Sequence, residues 1–347
     1  MSGEAAEHFA GLDQNSVQHF RSIILFGRNV ASYKFALGKS LVDLAQTDKS
    51  FISLDDLAVP FAQNVCEHLR AVDRQGTFEH SKFLDACRFF NSGRINEDEL
   101  RSATVLLGFN NVIDAFHVVG PGDTPTRFFI DERSTSGGIR LTDALFEIAN
   151  GNDAQVLVAE TEARWRLVEE AWDAKADGRQ VTVLYDAPRE LLVPALQGKR
   201  KSISEVRPAL NGYQKGRCFY CFAKIGLGTG GEQTPDVDHF FPHVLMARGF
   251  PHNLDNPWNL VLACQGCNRG NSGKFASLPN NRYLERLHRR NEFLIGSNHP
   301  LRETLILATG RESRARGLFL RQMMDTAKLL VDGKMGWQAK DELEPMF

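Results

Sequence analysis

No stretch of this 347-residue chain approaches the roughly 18 consecutive apolar residues of a membrane-spanning helix. Met1 to Ser16 shows neither a basic start nor an apolar segment, which predicts that the chain is not secreted. A cytoplasmic protein with no membrane partner is the resulting expectation. Cysteine is scarce, at six residues, and in a chain without a secretory signal paired cysteines point to metal more often than to disulfides. There is no internal repeat and no low-complexity tract. Net charge is also nearly absent, at −2, but its distribution is uneven.

Residues 1–198 hold 19 Lys and Arg against 29 Asp and Glu, a balance of −10. Residues 199–321 hold 19 against 9, or +10, and 322–347 hold 3 against 5. An acidic part followed by a basic one suggests a nucleic-acid-binding region, although neighbouring domains can differ in charge for no functional reason. The length implies at least two domains, and 42% hydrophobic with 24% charged residues describes an ordinary globular chain. We therefore expect an acidic domain over 1–198, a basic one over 199–321 and a helical tail over 322–347.

The acidic part reads as mainly helical α+β. Apolar spacing predicts helices over Val17–Leu44, with Gly27 and Gly38 as breaks, then from Ser53, over Glu79–Phe90 and from Asn96 to Leu107. Strands are predicted at Arg127–Asp131, Gly138–Leu141 and Gln180–Tyr185, and a long helix over Asp153–Lys175. Its histidines (His8, His19, His68, His80 and His117) have no metal-ligand spacing, and Cys66 and Cys87 stand alone in helix-like segments as buried thiols. Asn96-Glu97-Asp98-Glu99 reads as a solvated helix N-terminus, where carboxylates favour the helix dipole.

The basic part carries the chemistry. Cys218/Cys221 and Cys264/Cys267 form two C-x-x-C pairs 42 residues apart. Each pair suits one side of a tetrahedral Zn²⁺ site, which with four thiolates has no open position and is structural; a redox pair is the rival. Between them, Asp236-Val237-Asp238-His239 predicts a strand, and a second strand is expected to begin at Asn259. Cys267-Asn268-Arg269-Gly270-Asn271-Ser272-Gly273-Lys274 predicts a helix continuing through Phe275, and Tyr283–Leu294 another.

This segment resembles the HNH endonuclease family, whose core is a ββα-metal finger often braced by a Cys₄ zinc. The family order C-x-x-C, D-H-x-x-P, N-L, C-x-x-C-N-x-x-x-x-x-K matches Cys218 through Lys274, and the resemblance covers Val206 to Ile295. It implies metal-dependent hydrolysis of phosphodiester bonds in DNA, most simply double-stranded. It further implies His239 as general base, Asp238 and Asn268 as ligands of a catalytic Mg²⁺ or Mn²⁺, and Asn259 as the residue that orients the motif. Asn268 stands where the family often has histidine. Arg269, Lys274, Arg282 and Arg286 become candidate nucleic-acid contacts, with Arg282, Arg286, Arg289 and Arg290 as one helical stripe. HNH domains fused to unfamiliar domains resemble bacterial anti-phage defence and restriction nucleases, which would add protein partners from such a system. Two other readings stay open: a non-catalytic zinc-ribbon module that binds nucleic acid, and a zinc-stabilised protein-interaction scaffold.

Overall fold

The computed structural model describes residues 15–27, 31–47, 49–77, 80–119, 122–176, 182–195, 204–226, 234–297 and 299–347. The fold is mixed α+β, and the chain divides into two compact units, Ser2–Gly178 and Arg179–Phe347. The boundary therefore falls about twenty residues before the expected one at residue 198, which lies outside the described residues. With the division at 178/179, the first unit carries 17 Lys and Arg against 27 Asp and Glu, and the second 24 against 16.

In the first unit the order is α1 (Ser16–Phe26), α2 (Tyr33–Ala45), β1 (Phe51–Ser53), α3 (Leu54–Ala71), α4 (Lys82–Asn91), α5 (Glu97–Ala103), α6 (Val112–Ala115), β2 (Val118–Val119), β3 (Gly122–Asp123), β4 (Phe129–Glu132), β5 (Gly138–Leu141), α7 (Asp143–Asn150) and α8 (Ala154–Ala176). Ser53 caps α3 by accepting the Asp56 N–H at 3.0 Å, with Asp55 and Asp56 at the positive end of the dipole. One stripe of α3, Leu57, Phe61, Val65 and Leu69, enters the core. Asn96 and Glu99 form a capping box on α5, the solvated N-terminus expected there. The antiparallel sheet β1-β5-β4 closes one side. Gly38 does not break its helix: it lies inside α2, where a Cβ would come within 3.3 Å of the Ile24 side chain. Cys66 and Cys87 are buried, as expected.

Three histidines of this unit, His19, His68 and His117, are buried, and His80 is exposed. His117 accepts the Phe128 N–H at 2.9 Å through Nε2, and burial pushes its pKa down to about 4. His68 lies flat on Trp165, ring centroids 3.5 Å apart, with Glu169 at 2.8 Å from Nδ1 and Glu162 at 3.1 Å from Nε2. Carboxylates only accept, so both ring nitrogens carry protons and the imidazole is charged. Burial alone would lower its pKa, but the hydrogen bonds and charges of Glu162 and Glu169 raise it overall. The stabilisation is complete below the unfolded value near ~6.5 and is lost as pH rises through the raised folded value. Within that window each pH unit is expected to cost up to about 1.4 kcal/mol, or roughly 3 °C in Tm. Melting curves from pH 6 upward should show this slope in the wild type and not in His68→Gln; equal slopes would refute the charged assignment.

The second unit begins with an antiparallel sheet of β6 (Val183–Asp186), β7 (Leu191–Pro194) and β8 (Ser204–Glu205). Then come α9 (Val206–Gln214), β9 (Asp236–His239), β10 (Leu260–Ala263), α10 (Gln265–Arg269), α11 (Asn281–Gly296), α12 (Arg302–Thr309) and α13 (Ser313–Leu330). β9 and β10 pair antiparallel, His239 opposite Leu260 and Asp236 opposite Ala263. The helix after Cys264 ends at Arg269 instead of continuing through Phe275, because Gly270 is extended and a turn follows (Gly273 N–H to Gly270 O, 2.7 Å). The expected separate helical tail over 322–347 is also corrected. Its first nine residues complete α13, and the remainder packs back with little regular structure: Trp337 against Tyr220 and Tyr283, and Phe347 against Tyr213, Phe219 and Phe222. No helix among the described residues is long and apolar enough to cross a membrane.

Candidate active site and four-cysteine centre

Two turns bring the cysteines together. α9 ends at Lys215 in a left-handed conformation, and the chain folds back so that Cys218 N–H reaches Ala223 O at 2.8 Å. On the other side Cys264 caps α10, its Sγ accepting the Cys267 N–H at 3.4 Å. The 42-residue gap is closed at the free edge of β10. Phe219 N–H donates to Leu262 O at 2.9 Å, and the Gln214 side chain both donates to Leu262 O and accepts from Leu262 N–H, each at 2.8 Å. Gln214 thus substitutes for a strand residue, a role no spacing rule would reveal. The four Sγ atoms of Cys218, Cys221, Cys264 and Cys267 lie within 4.8 Å of one another, so they can hold a metal ion such as zinc.

His239 ends β9 with its ring largely buried. Its Nε2 lies 2.9 Å from Asp255 Oδ1, so Nε2 carries the proton and the Nδ1 lone pair is the basic one. The same Asp255 oxygen lies 3.6 Å from His243 Nε2. Asp255 is fixed in turn by Asn253, whose Oδ1 accepts its N–H at 2.9 Å, and by Tyr185 N–H, which donates to its carbonyl at 2.8 Å. Sequence reasoning missed Asp255, because it comes sixteen residues after His239 in a loop that only folding brings back.

Asn259 is fully buried. Its amide accepts from Phe241 N–H (2.8 Å) and donates to Phe241 O (3.1 Å) and Leu254 O (3.0 Å), tying the segment after His239 to the residue before Asp255. With no exposure, its amide acts within the fold, holding these two loops together.

The carboxylates are arranged differently from expectation. No hydrogen bond joins Asp238 and Asn268: Asp238 is buried between the Tyr220 hydroxyl at 2.6 Å and Lys274 Nζ at 3.0 Å. Asn268 Nδ2 instead donates to Asp236 at 3.0 Å, and Arg269 Nε lies 3.0 Å from that same oxygen. Strand alternation sets Asp236 and Asp238 on one face of β9. Asp236 is thus the carboxylate that Asn268 reaches, while both Asp238 oxygens are already bonded, one to Tyr220 and one to Lys274.

Two expected nucleic-acid contacts are corrected. Lys274 is fully buried, its ammonium spent on Asp238, on His239 O (3.0 Å) and on Phe275 O (3.4 Å). Arg286 is 6% exposed; it donates to Phe219 O (2.6 Å) and Tyr220 O (2.9 Å), pairs with Glu342 and lies 4.2 Å over the Phe222 ring. It is a brace between α11, the first cysteine turn and the C-terminal segment. Arg290 is likewise buried, bonded to Pro257, Trp258 and Leu260 carbonyls, so the stripe splits between two faces of α11. Arg282 stays on the surface, paired with Glu342 at 2.7 Å, and Arg269 is 59% exposed. Lys199, Arg200 and Lys201 lie outside the described residues. Compared with models of known protein families, with curated proteins and with solved structures, the chain matches none.

Proposed function

We propose that the Arg179–Phe347 unit is an HNH-type endonuclease that hydrolyses phosphodiester bonds in double-stranded DNA, with a structural zinc in the four-cysteine centre. The observations that carry this reading are the His239–Asp255 pair at the end of β9 and, on the same strand, Asp236 hydrogen-bonded by Asn268. A general base for water needs a neutral imidazole with one nitrogen free, and Asp255 on Nε2 leaves Nδ1 for that proton. Asp255 also stabilises the imidazolium once the proton is taken. Asp236 and Asn268, with Asp238, would hold Mg²⁺ or Mn²⁺, which when bound would stabilise charge developing on the phosphate and the leaving oxygen. Arg269 is placed at the surface for a phosphate oxygen. The resemblance to anti-phage defence and restriction nucleases supports a place in such a system. The test is supercoiled plasmid with the purified full chain. Relaxed or linear product is expected with Mg²⁺ or Mn²⁺ and none when Ca²⁺ replaces them; intact plasmid in all three would favour a non-catalytic nucleic-acid-binding module.

A further inference from the structure

Phe275 combines two unfavourable features. Its φ of +45° lies in the left-handed region that suits glycine, and the residue is 57% exposed. Phe222 also has a positive φ, +59°, but its ring is fully buried under Arg286, so core packing offsets the strain there. Phe275 has no such burial to offset it. Its conformation is imposed from both sides: its N–H donates to Asn268 O at 2.9 Å, and the preceding Lys274 N–H donates to Cys267 O at 2.7 Å. The Lys274 ammonium touches the carbonyl oxygens of both Phe275 and His239. Phe275 is therefore held exposed on the segment that follows Asn268 and the exposed Arg269, its carbonyl tied through the Lys274 ammonium to that of His239. Local strain that the surroundings impose is a pointer to a binding role.

We propose that Phe275 is an apolar wedge that inserts at one base step of the DNA lying across the His239 site. This deepens the nuclease reading and rests on it. Arg269 beside it offers charge to the backbone, while an uncharged aromatic offers nothing to phosphate and a π-face to a base. Wedges of this kind partly unstack a step, most easily a flexible pyrimidine–purine one such as TA or CA, so binding gains a preference without base-edge hydrogen bonds.

The test uses the full chain with Ca²⁺ as the added divalent ion and duplexes carrying 2-aminopurine at successive positions. Wild type should raise the fluorescence at one step. Phe275→Ala should lose that rise and bind about 5- to 150-fold more weakly, the range for loss of a base–aromatic contact. Phe275→Gly should lose the rise equally while melting at or above the wild-type temperature, because glycine takes φ +45° without strain; this separates lost contact from misfolding. Fluorescence and affinity within twofold of wild type in both variants would overturn the wedge while leaving the nuclease reading intact. A wild type that binds no duplex would overturn both.

Discussion

His239→Ala is expected to lower the single-turnover rate of plasmid cleavage by about 10²- to 10⁴-fold, the usual contribution of a positioned general base, with little change in DNA affinity. The split follows from the geometry: the ring is mostly enclosed, and only its Nδ1 is left without an internal carboxylate, so its removal takes away proton transfer more than docking surface. Asp255→Asn should also slow cleavage, by up to about 10⁴-fold, since loss of the carboxylate that fixes the tautomer of a histidine base can cost that much. The amide can still bond to Nε2 but no longer balances an imidazolium. Rates measured at saturating protein, beside affinities measured in Ca²⁺, separate the two effects. A His239→Ala variant that loses binding as much as rate would make this histidine a docking group.

Removing the metal should have the largest effect on folding. The cysteine centre is where the connections of the second unit converge. Phe219 and Gln214 dock on β10 beside it, Arg286 binds the carbonyls of Phe219 and Tyr220 within the first cysteine turn, and Leu343 N–H reaches Cys221 O at 3.0 Å from the C-terminal segment. Structural zinc supplies apparent folding free energy of about 10–16 kcal/mol in small domains at neutral pH, more than the whole stability of many domains. The purified chain should hold one zinc per molecule. Chelation should melt the second unit while the helical signal of the first survives, and Cys264→Ser should lose the metal and most soluble yield. Unchanged melting in chelator, or full zinc in Cys264→Ser, would contradict a structural Cys₄ site.

Much of the architecture follows from local pattern. Ser53 before Asp55 and Asp56, the Asn96/Glu99 box and the two C-x-x-C pairs act within a few residues, where spacing dictates geometry. The strand at Asp236–His239 and the helix under Tyr283–Leu294 are legible for the same reason. Long-range partners are not. Asp255 reaches His239 through a loop, Gln214 reaches Leu262 across 48 residues, and Glu342 reaches Arg286 across 56. Charged residues misled most. Lys274 and Arg286 read as phosphate contacts because lysine and arginine are normally exposed, yet each is buried and bonded to carbonyls and a carboxylate. Asp238 and Asn268 share no hydrogen bond: Tyr220 and Lys274 bond Asp238, and Asn268 reaches Asp236, partners that spacing alone does not reveal. The helix through Phe275 failed because Gly270 and Gly273 allow a turn that brings Lys274 back under β9.

The central claim is that the His239 imidazole is the base of a metal-dependent DNA hydrolase. Its most direct test is chemical rescue of His239→Gly on supercoiled plasmid with Mg²⁺ or Mn²⁺. The expected result is a nearly inactive variant whose cleavage returns in part when imidazole is added, with no such gain for wild type or for Lys274→Met. Cleavage by His239→Gly at the wild-type rate without imidazole would contradict it.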